Sequence, residues 1–249
     1  MQVVRRNHSH VYGADFYEWF REGSTRSAMV VVPIVLELLG PVRTVLDVGC
    51  GVGAWLSVFE GLGVQDIYGI DRDPPLDALT IPRDRFQQVD LRTPFDLGRV
   101  FDLVVCLEVA EHLPEDCSGH LVRSLARHGD AVLFSAAIPG QRGEDHINLQ
   151  WLSYWSERFR AAGFRLFDLV RPKCWSDSRV EVWYRQNVVL FGRAQAASVL
   201  ARAPVAGGMV DVVHPETWHE RLQPRLRSAL AEIPRAARRT ARRRITANG

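Results

Sequence analysis

The sequence predicts an α/β fold: a doubly wound, seven-stranded, mostly parallel sheet with an antiparallel last strand, N-terminal helices before it and a basic C-terminal tail after it. Three observations predict it. From Thr44 onward, short β-branched or apolar runs alternate with segments of helical period, the order that yields parallel strands covered on both faces. The stretch "VLDVGCGVGAW", residues 45–55, places Gly49, Gly51 and Gly53 directly after an apolar run. Glycines that dense cost backbone entropy and pack nothing unless a ligand must come close to the chain. Finally, two closing apolar runs have no helical pattern between them, which predicts a terminal hairpin and therefore one antiparallel strand.

Taken in order, "YGADFYEWFREGSTRSAMVVVPIVLELLG" reads as two helical pieces, the second stopped by Gly40. Strands are expected at 44–48, 66–70, 86–89, 101–107 and 131–136. Helices fill the gaps at 54–62, weakly near Leu76, and at 115–127. "WLSYWSERFRAAGF" repeats its apolar positions every three to four residues and stops at Gly163. The closing strands are expected at 165–170 and 187–192. Three parts follow: an N-terminal helical lid over 1–40, a ligand-binding core over 41–193, and a helical, basic extension over 194–249.

Composition narrows the class. The 249 residues, 47% hydrophobic, suit a globular chain with one good core. No apolar run approaches the roughly 18–20 residues of a spanning helix, and the N-terminus has no apolar signal region, so the cytoplasm is the expected compartment. Cys50, Cys106, Cys117 and Cys174 lie far apart without a CxxC pattern, which suggests neither a disulfide framework nor a zinc cluster. Charge is uneven: nine arginines against Glu220 and Glu232 give the last 30 residues +7, so the preceding 219 carry −5. Six of the ten residues in "RAARRTARRR" are arginine. Such a tail adds affinity for phosphate or another acidic surface without defining a function.

In a doubly wound sheet, a glycine-rich turn after the first strand cradles a nucleotide. Gly49-x-Gly51-x-x-Ala54 also fits the dinucleotide fingerprint, with a pyrophosphate at the helix N-terminus. Asp47 separates the two readings, because a fixed carboxylate beside the loop suits a cationic ammonium and sits awkwardly near a diphosphate.

Over residues 42–192 the chain resembles the class I S-adenosylmethionine-dependent methyltransferases, with their Rossmann-like sheet. "VLDVGCGVG" matches the family's first motif. The resemblance implies that Asp71, 18 residues after Gly53, takes the ribose hydroxyls, and that Asp90 lies near the adenine amine. "CLEVAEHLP" matches the acidic segment after the fourth strand with Glu108, Glu111 and His112. The implied cofactor set is Tyr12, Asp47, Gly49, Gly51, Gly53, Asp71, Arg72, Asp90, Leu91, Glu108, Val109 and His112, with Tyr12 as a lid aromatic.

The chemistry follows from the cofactor. A methyl group on a sulfonium is already activated, so the protein must align an acceptor lone pair and, for a hydroxyl, remove its proton. The fourth-strand segment is not Asn-Pro-Pro-Tyr or Asp-Pro-Pro-Tyr, which disfavours an exocyclic nucleobase amine. "AAIPGQRGEDHINLQW" carries His146 beside Glu144 and Asp145. Imidazole is poised near neutral pH, and flanking carboxylates are expected to help it hold the proton it removes. His146 is the candidate general base; the three neighbours could instead gather a divalent metal, though consecutive residues seldom converge on one ion. Trp151, Tyr154 and Trp155 read as a core stripe, while Trp175, Trp183 and Tyr184 could wall an acceptor pocket.

The expected reaction is O-methylation of a small hydroxylated acceptor, a sugar unit or natural-product intermediate, as in bacterial members near glycan or secondary-metabolite biosynthesis. Nitrogen or carboxylate methylation, an RNA substrate docked by the arginine tail, and a catalytically silent partner subunit remain as alternatives. A homo-oligomer is compatible with all of them.

Overall fold

The computed structural model describes residues 14–193, 196, 200 and 210–222. The chain divides into two compact units, Met1–Val212 and Val213–Gly249. In the second, the described residues form one helix, Pro215–Leu222, with the Glu216 amide donating to His214 Nδ1 at its start (3.2 Å). Tyr12 and the arginine run at 235–244 lie outside the described residues.

The first unit holds a seven-stranded sheet: β1 (Thr44–Val48), β2 (Asp66–Asp71), β3 (Phe86–Gln88), β4 (Leu103–Leu107), β5 (Ala131–Ser135), β6 (Arg165–Phe167) and β7 (Val189–Gly192). Their order across the sheet is β3-β2-β1-β4-β5-β7-β6. β1 pairs in parallel with β2 and β4, placing Asp47 between Gly69 and Val105. β7 alone runs against its neighbours, with Leu133 opposite Leu190 on one side and Phe167 opposite Leu190 on the other. The antiparallel last strand of the sequence reading is therefore present.

Helices cover both faces because each central strand is apolar on both. Val45, Leu103, Val105, Leu133 and Leu190 pack with α1 (Ala14–Leu39) and α2 (Ala54–Gly61). Leu46, Val104, Cys106, Phe134 and Phe191 pack with α3 (Ser118–His128) and α4 (Leu152–Ala161) on the opposite face. There Phe159 stacks on Phe191 at 3.9 Å between centroids, and Phe134 meets Trp155 at 5.3 Å.

Two local expectations need correction. The N-terminal segment is one helix, not two, and runs through Pro33. A proline inside a helix costs about 3 kcal/mol, but Ala28, Val31, Val32, Val35 and Leu38 are all buried around it, and that burial outweighs the broken bond. The closing strands are also not joined by a simple turn: α5 (Arg171–Cys174) and α6 (Val182–Asn187) lie between them. Asp168 forms an ion pair with Arg171 (2.6 Å), which ends β6 early, and the polar run Arg185, Gln186 and Asn187 closes a helix where a strand was expected to begin. α1 is fastened to this excursion. The Glu181 amide donates to Ser27 Oγ (3.0 Å), and Arg26 pairs with the Glu181 carboxylate.

Truncating Phe134 to alanine removes the ring that Trp155, Phe159 and Phe191 all touch. The expected loss is about 3–5 kcal/mol of unfolding free energy, read from the shift in urea midpoint.

Candidate active site

The strand order reverses between β1 and β4, and their carboxyl ends open the crevice in which such sheets bind ligands. The turn after β1 is held by its own backbone. The amides of Gly49 and Cys50 both donate to the Ile70 carbonyl (2.8 and 3.1 Å), and the Gly51 amide donates to Asp71 Oδ2 (2.8 Å). Gly49 has φ 81°, and a Cβ there would lie 2.4 Å from Val109. Backbone conformation and close approach both exclude a side chain. At Gly51 a Cβ would meet nothing within 4 Å, so that glycine leaves open space over the turn.

Asp47, the penultimate residue of β1, lies beneath this loop, 3% exposed, and its Oδ2 has no hydrogen-bond partner. Burial, with Asp71 nearby, pushes its carboxyl up to about 8. A buried carboxylate with an orphaned oxygen fits a ligand that brings its own cation. The ammonium of S-adenosylmethionine is such a group, and the residues present fit that cofactor. Asp71 spends Oδ1 on the Arg72 amide (2.6 Å) and Oδ2 on Gly51; burial raises its pKa while those amides oppose the rise. Arg72 itself is exposed. Asp90 lies one strand over, its carboxylate gripped by Arg92 (2.9 and 2.6 Å), which brings its pKa down to about 2. An adenine amine there would share Asp90 with Arg92. Leu91 is buried beside it.

The fourth-strand segment forms the other wall. Glu108 adopts a left-handed backbone, φ 53°, and its carboxylate receives Gln141 Nε2 (3.0 Å) and Asn187 Nδ2 (3.3 Å). Gln141 Oε1 in turn accepts from Gln186 (3.0 Å) and Asn187 (2.9 Å). This amide cage was missed from sequence because Asn187 read as the start of a strand and Gln186 was given no role; two adjacent amides ahead of an apolar run were the available signal. Glu111 is fully buried, with Oε1 accepting the Ala137 amide (3.2 Å) and Oε2 unpartnered. Burial raises both carboxyls, and the charge of Glu108 pushes Glu111 higher still.

His146 reaches this wall through a main-chain clamp. The amides of Ile147 and Asn148 both donate to the Glu111 carbonyl (2.9 and 3.0 Å). The His146 ring then meets the His112 ring at 5.0 Å, edge to face, with Nδ1 unpartnered. Burial and His112 hold the imidazole down to about 4. This reverses the expected influence of the flanking acids. Glu144 and Asp145 are exposed, Asp145 at φ 54° turns the chain outward, and its small upward pull is outweighed. The carboxylate gathered with the imidazoles is Glu111, not Glu144 or Asp145: donor atoms of Glu111, His112 and His146 lie within 4.8 Å of one another. His112 faces solvent and stands with His146. Of the aromatic candidates, Trp155 and Tyr184 are core, with Tyr184 bonded to Ser24 (3.2 Å), while Trp151 is 37% exposed.

A methyltransferase-domain family model matches residues 26–169, more than half of the chain and every part of the crevice wall except Gln186 and Asn187. The chain belongs to that family. Its sheet, motif order and cradle are those of the class I S-adenosylmethionine-dependent methyltransferases. It is 34% identical over 134 residues to a ubiquinone biosynthesis O-methyltransferase of Albidiferax ferrireducens, covering 47% of this chain and 52% of that one. To a ribosomal-protein methyltransferase of Laribacter hongkongensis it is 33% identical over 108 residues, covering 41% and 35%. The matches thus span about half or less of these relatives. A solved sugar N-methyltransferase from a Streptoalloteichus species shares the fold at TM-score 0.55 and 20% identity, over 77% of this chain and 99% of that one.

Two outcomes test the methyltransferase cradle. Below about pH 8 the Asp47 carboxyl is protonated, so the affinity for adenosylhomocysteine, which carries the same ammonium, should rise as pH increases from 6 to 8, with proton release on binding. Calorimetry in buffers of different ionisation heat reads this, and Asp47→Asn should abolish the pH dependence. Gly49→Ala, driven into Val109, should weaken binding by at least about tenfold, as the loss of one well-made contact of 1.4 kcal/mol or more would.

Proposed function

We propose that this methyltransferase transfers the methyl group of S-adenosylmethionine to a hydroxyl oxygen of a small acceptor, such as a sugar unit or natural-product intermediate, with His146 activating that hydroxyl. The observation that carries the proposal is His146 itself: an imidazole neutral at physiological pH, with a free ring nitrogen, clamped against the fourth-strand wall. An amine acceptor is already nucleophilic once neutral, whereas a hydroxyl needs such a group to draw off its proton as the oxygen attacks. In the proposed site, Asp47 and Asp71 hold the cofactor by its ammonium and ribose, Asp90 shares the adenine amine with Arg92, and the glycine turn lets the cofactor lie on bare backbone. Glu108, steadied by Gln141 and Asn187, faces the reacting end.

The acceptor oxygen then attacks in line with the sulfur–methyl bond. Its proton passes to His146, the methyl passes to oxygen, and the sulfonium becomes a neutral thioether. Placement of the two reactants supplies most of the acceleration and proton removal the remainder.

His146→Ala should leave adenosylhomocysteine affinity within a factor of about two and lower turnover by about 10²–10⁴. Asp71→Ala should do the opposite, weakening cofactor binding first. A mass-shift screen of hydroxylated metabolites for the gain of one methylene identifies the acceptor, and undiminished turnover in the His146 variant would remove that residue from the reaction. Because the imidazole is held to about 4, the rate at saturating cofactor and acceptor should fall with acidification only as pH drops toward that value.

A further inference from the structure

Glu111, His112 and His146 come from two segments far apart in sequence, yet one donor atom from each lies within 4.8 Å of the other two. We propose that these three side chains form a binding site for a divalent first-row transition cation, which holds and acidifies the acceptor hydroxyl. The inference rests on the methyl-transfer reading above and alters one step of it: the free nitrogen of His146 ligates the ion, and the ion, in place of the ring, acidifies the hydroxyl.

Four features of the structure support a built site. The first is the donor set. One carboxylate and two imidazoles suit zinc, manganese, cobalt or iron better than magnesium or calcium, which prefer all-oxygen shells. The second is unmet bonding capacity. Glu111 is 0% exposed and its Oε2 has no partner, and Nδ1 of His146 is likewise buried and unpartnered. A fully buried carboxyl faced by a second one, that of Glu108, is costly and calls for a shared proton or a cation.

The third feature is the orientation of the rings. The main chain of Asp145 lies beside the His112 ring and that of Gln141 beside the His146 ring, each placed to accept a ring N–H. Histidines that ligate metals commonly donate their other N–H in this way, which fixes the tautomer and turns the lone pair toward the ion. The fourth is rigidity. The Glu111 carbonyl binds the two amides that follow His146, Asn148 adds a side-chain bond to Ser118 Oγ (3.1 Å), and the Glu111 carboxylate is held by the Ala137 amide. Gly143 lets the His146 ring lie where a Cβ would come within 2.1 Å of it.

Tetrahedral bonds of about 2.1 Å place donors about 3.4 Å apart, within the 4.8 Å that bounds the spacing of these three donor atoms. Three protein ligands leave at least one position for an acceptor oxygen, the arrangement of catalytic rather than structural centres. In that position the hydroxyl proton leaves to water, the oxygen lone pair forms the new bond to methyl, the sulfur–methyl bond breaks, and sulfur keeps the electron pair.

The test uses the full-length chain, stripped with chelator and dialysed, then titrated with cobalt(II) and with manganese(II). Adenosylhomocysteine binding is measured on the same samples to confirm an intact cradle. One equivalent of cobalt should bind and give visible ligand-field absorption with nitrogen donors. His146→Ala, Glu111→Gln and His112→Ala should each weaken ion binding by about tenfold or more, and adenosylhomocysteine affinity should hold in His146→Ala and Glu111→Gln. His112 is solvent-facing, so its variant remains informative if the buried Glu111 variant fails to fold. Retention of adenosylhomocysteine binding without a stoichiometric ion would overturn the metal site and leave the cofactor reading standing. Ion binding unchanged in His146→Ala and His112→Ala would place the ion elsewhere and overturn it equally. Failure of adenosylhomocysteine to bind a folded wild type, with the ion bound, would instead sink the cofactor reading and not the metal site.

Discussion

Two amides, those of Gly49 and Cys50, converge on the single carbonyl of Ile70, and the next amide, Gly51, takes the Asp71 carboxylate. The whole crevice depends on this knot. It bends the chain back at the end of β1, fixes the ends of two neighbouring strands to one another, and spends the turn's own polar groups internally, so that a ligand meets a finished surface. The cost is sterically strict: the turn can be made only with left-handed glycines, and Gly49 must also stay bare because Val109 approaches it from the fourth-strand wall. Asp47 sits under the same knot without a partner for one oxygen, an arrangement that suits a ligand carrying its own cation.

A second knot mirrors the first on the far wall. The Glu111 carbonyl gathers the amides of Ile147 and Asn148, and this is why a histidine carried on a loop lies beside residues 111 and 112. The two knots differ in what they leave unfinished. The first leaves an acid seeking a cation, and the second leaves an acid and an imidazole whose lone pairs are both unspent. A charged methyl donor and the hydroxyl acceptor proposed above would ask for these two kinds of incompleteness, side by side.

The sheet was legible because strands buried on both faces are written as short apolar runs, and β1 in particular has unambiguous borders in Thr44 and the first glycine. Asp47 stood out in the sequence by its place beside the glycine turn, and Asp71 and Asp90 through the family resemblance, at or just after the ends of β2 and β3. What escaped was anything decided by contact between distant segments. Pro33 reads locally as a break, and only the burial of its neighbours makes the helix continuous. Gln141, Gln186 and Asn187 have no periodicity that marks them, since their cage around Glu108 exists only after β5, α6 and β7 are assembled. The pull on His146 was misread because adjacency in sequence suggested Glu144 and Asp145, whereas a left-handed residue at 145 turns the chain and brings His112 and Glu111 into play.

The position of β7 between β5 and β6 has a consequence for the order of assembly. β6 has no partner in the sheet except β7, and β7 is the last of the seven to be synthesised. Until Gly192 has left the ribosome, the edge of β5 stays unpaired and β6 has nothing to join, although the five strands that carry the nucleotide cradle are already complete. Nascent chains would thus complete β1–β5 early and the β7–β6 edge late, with an open sheet edge, the kind of surface that invites pairing with other chains, as the interval's chief hazard.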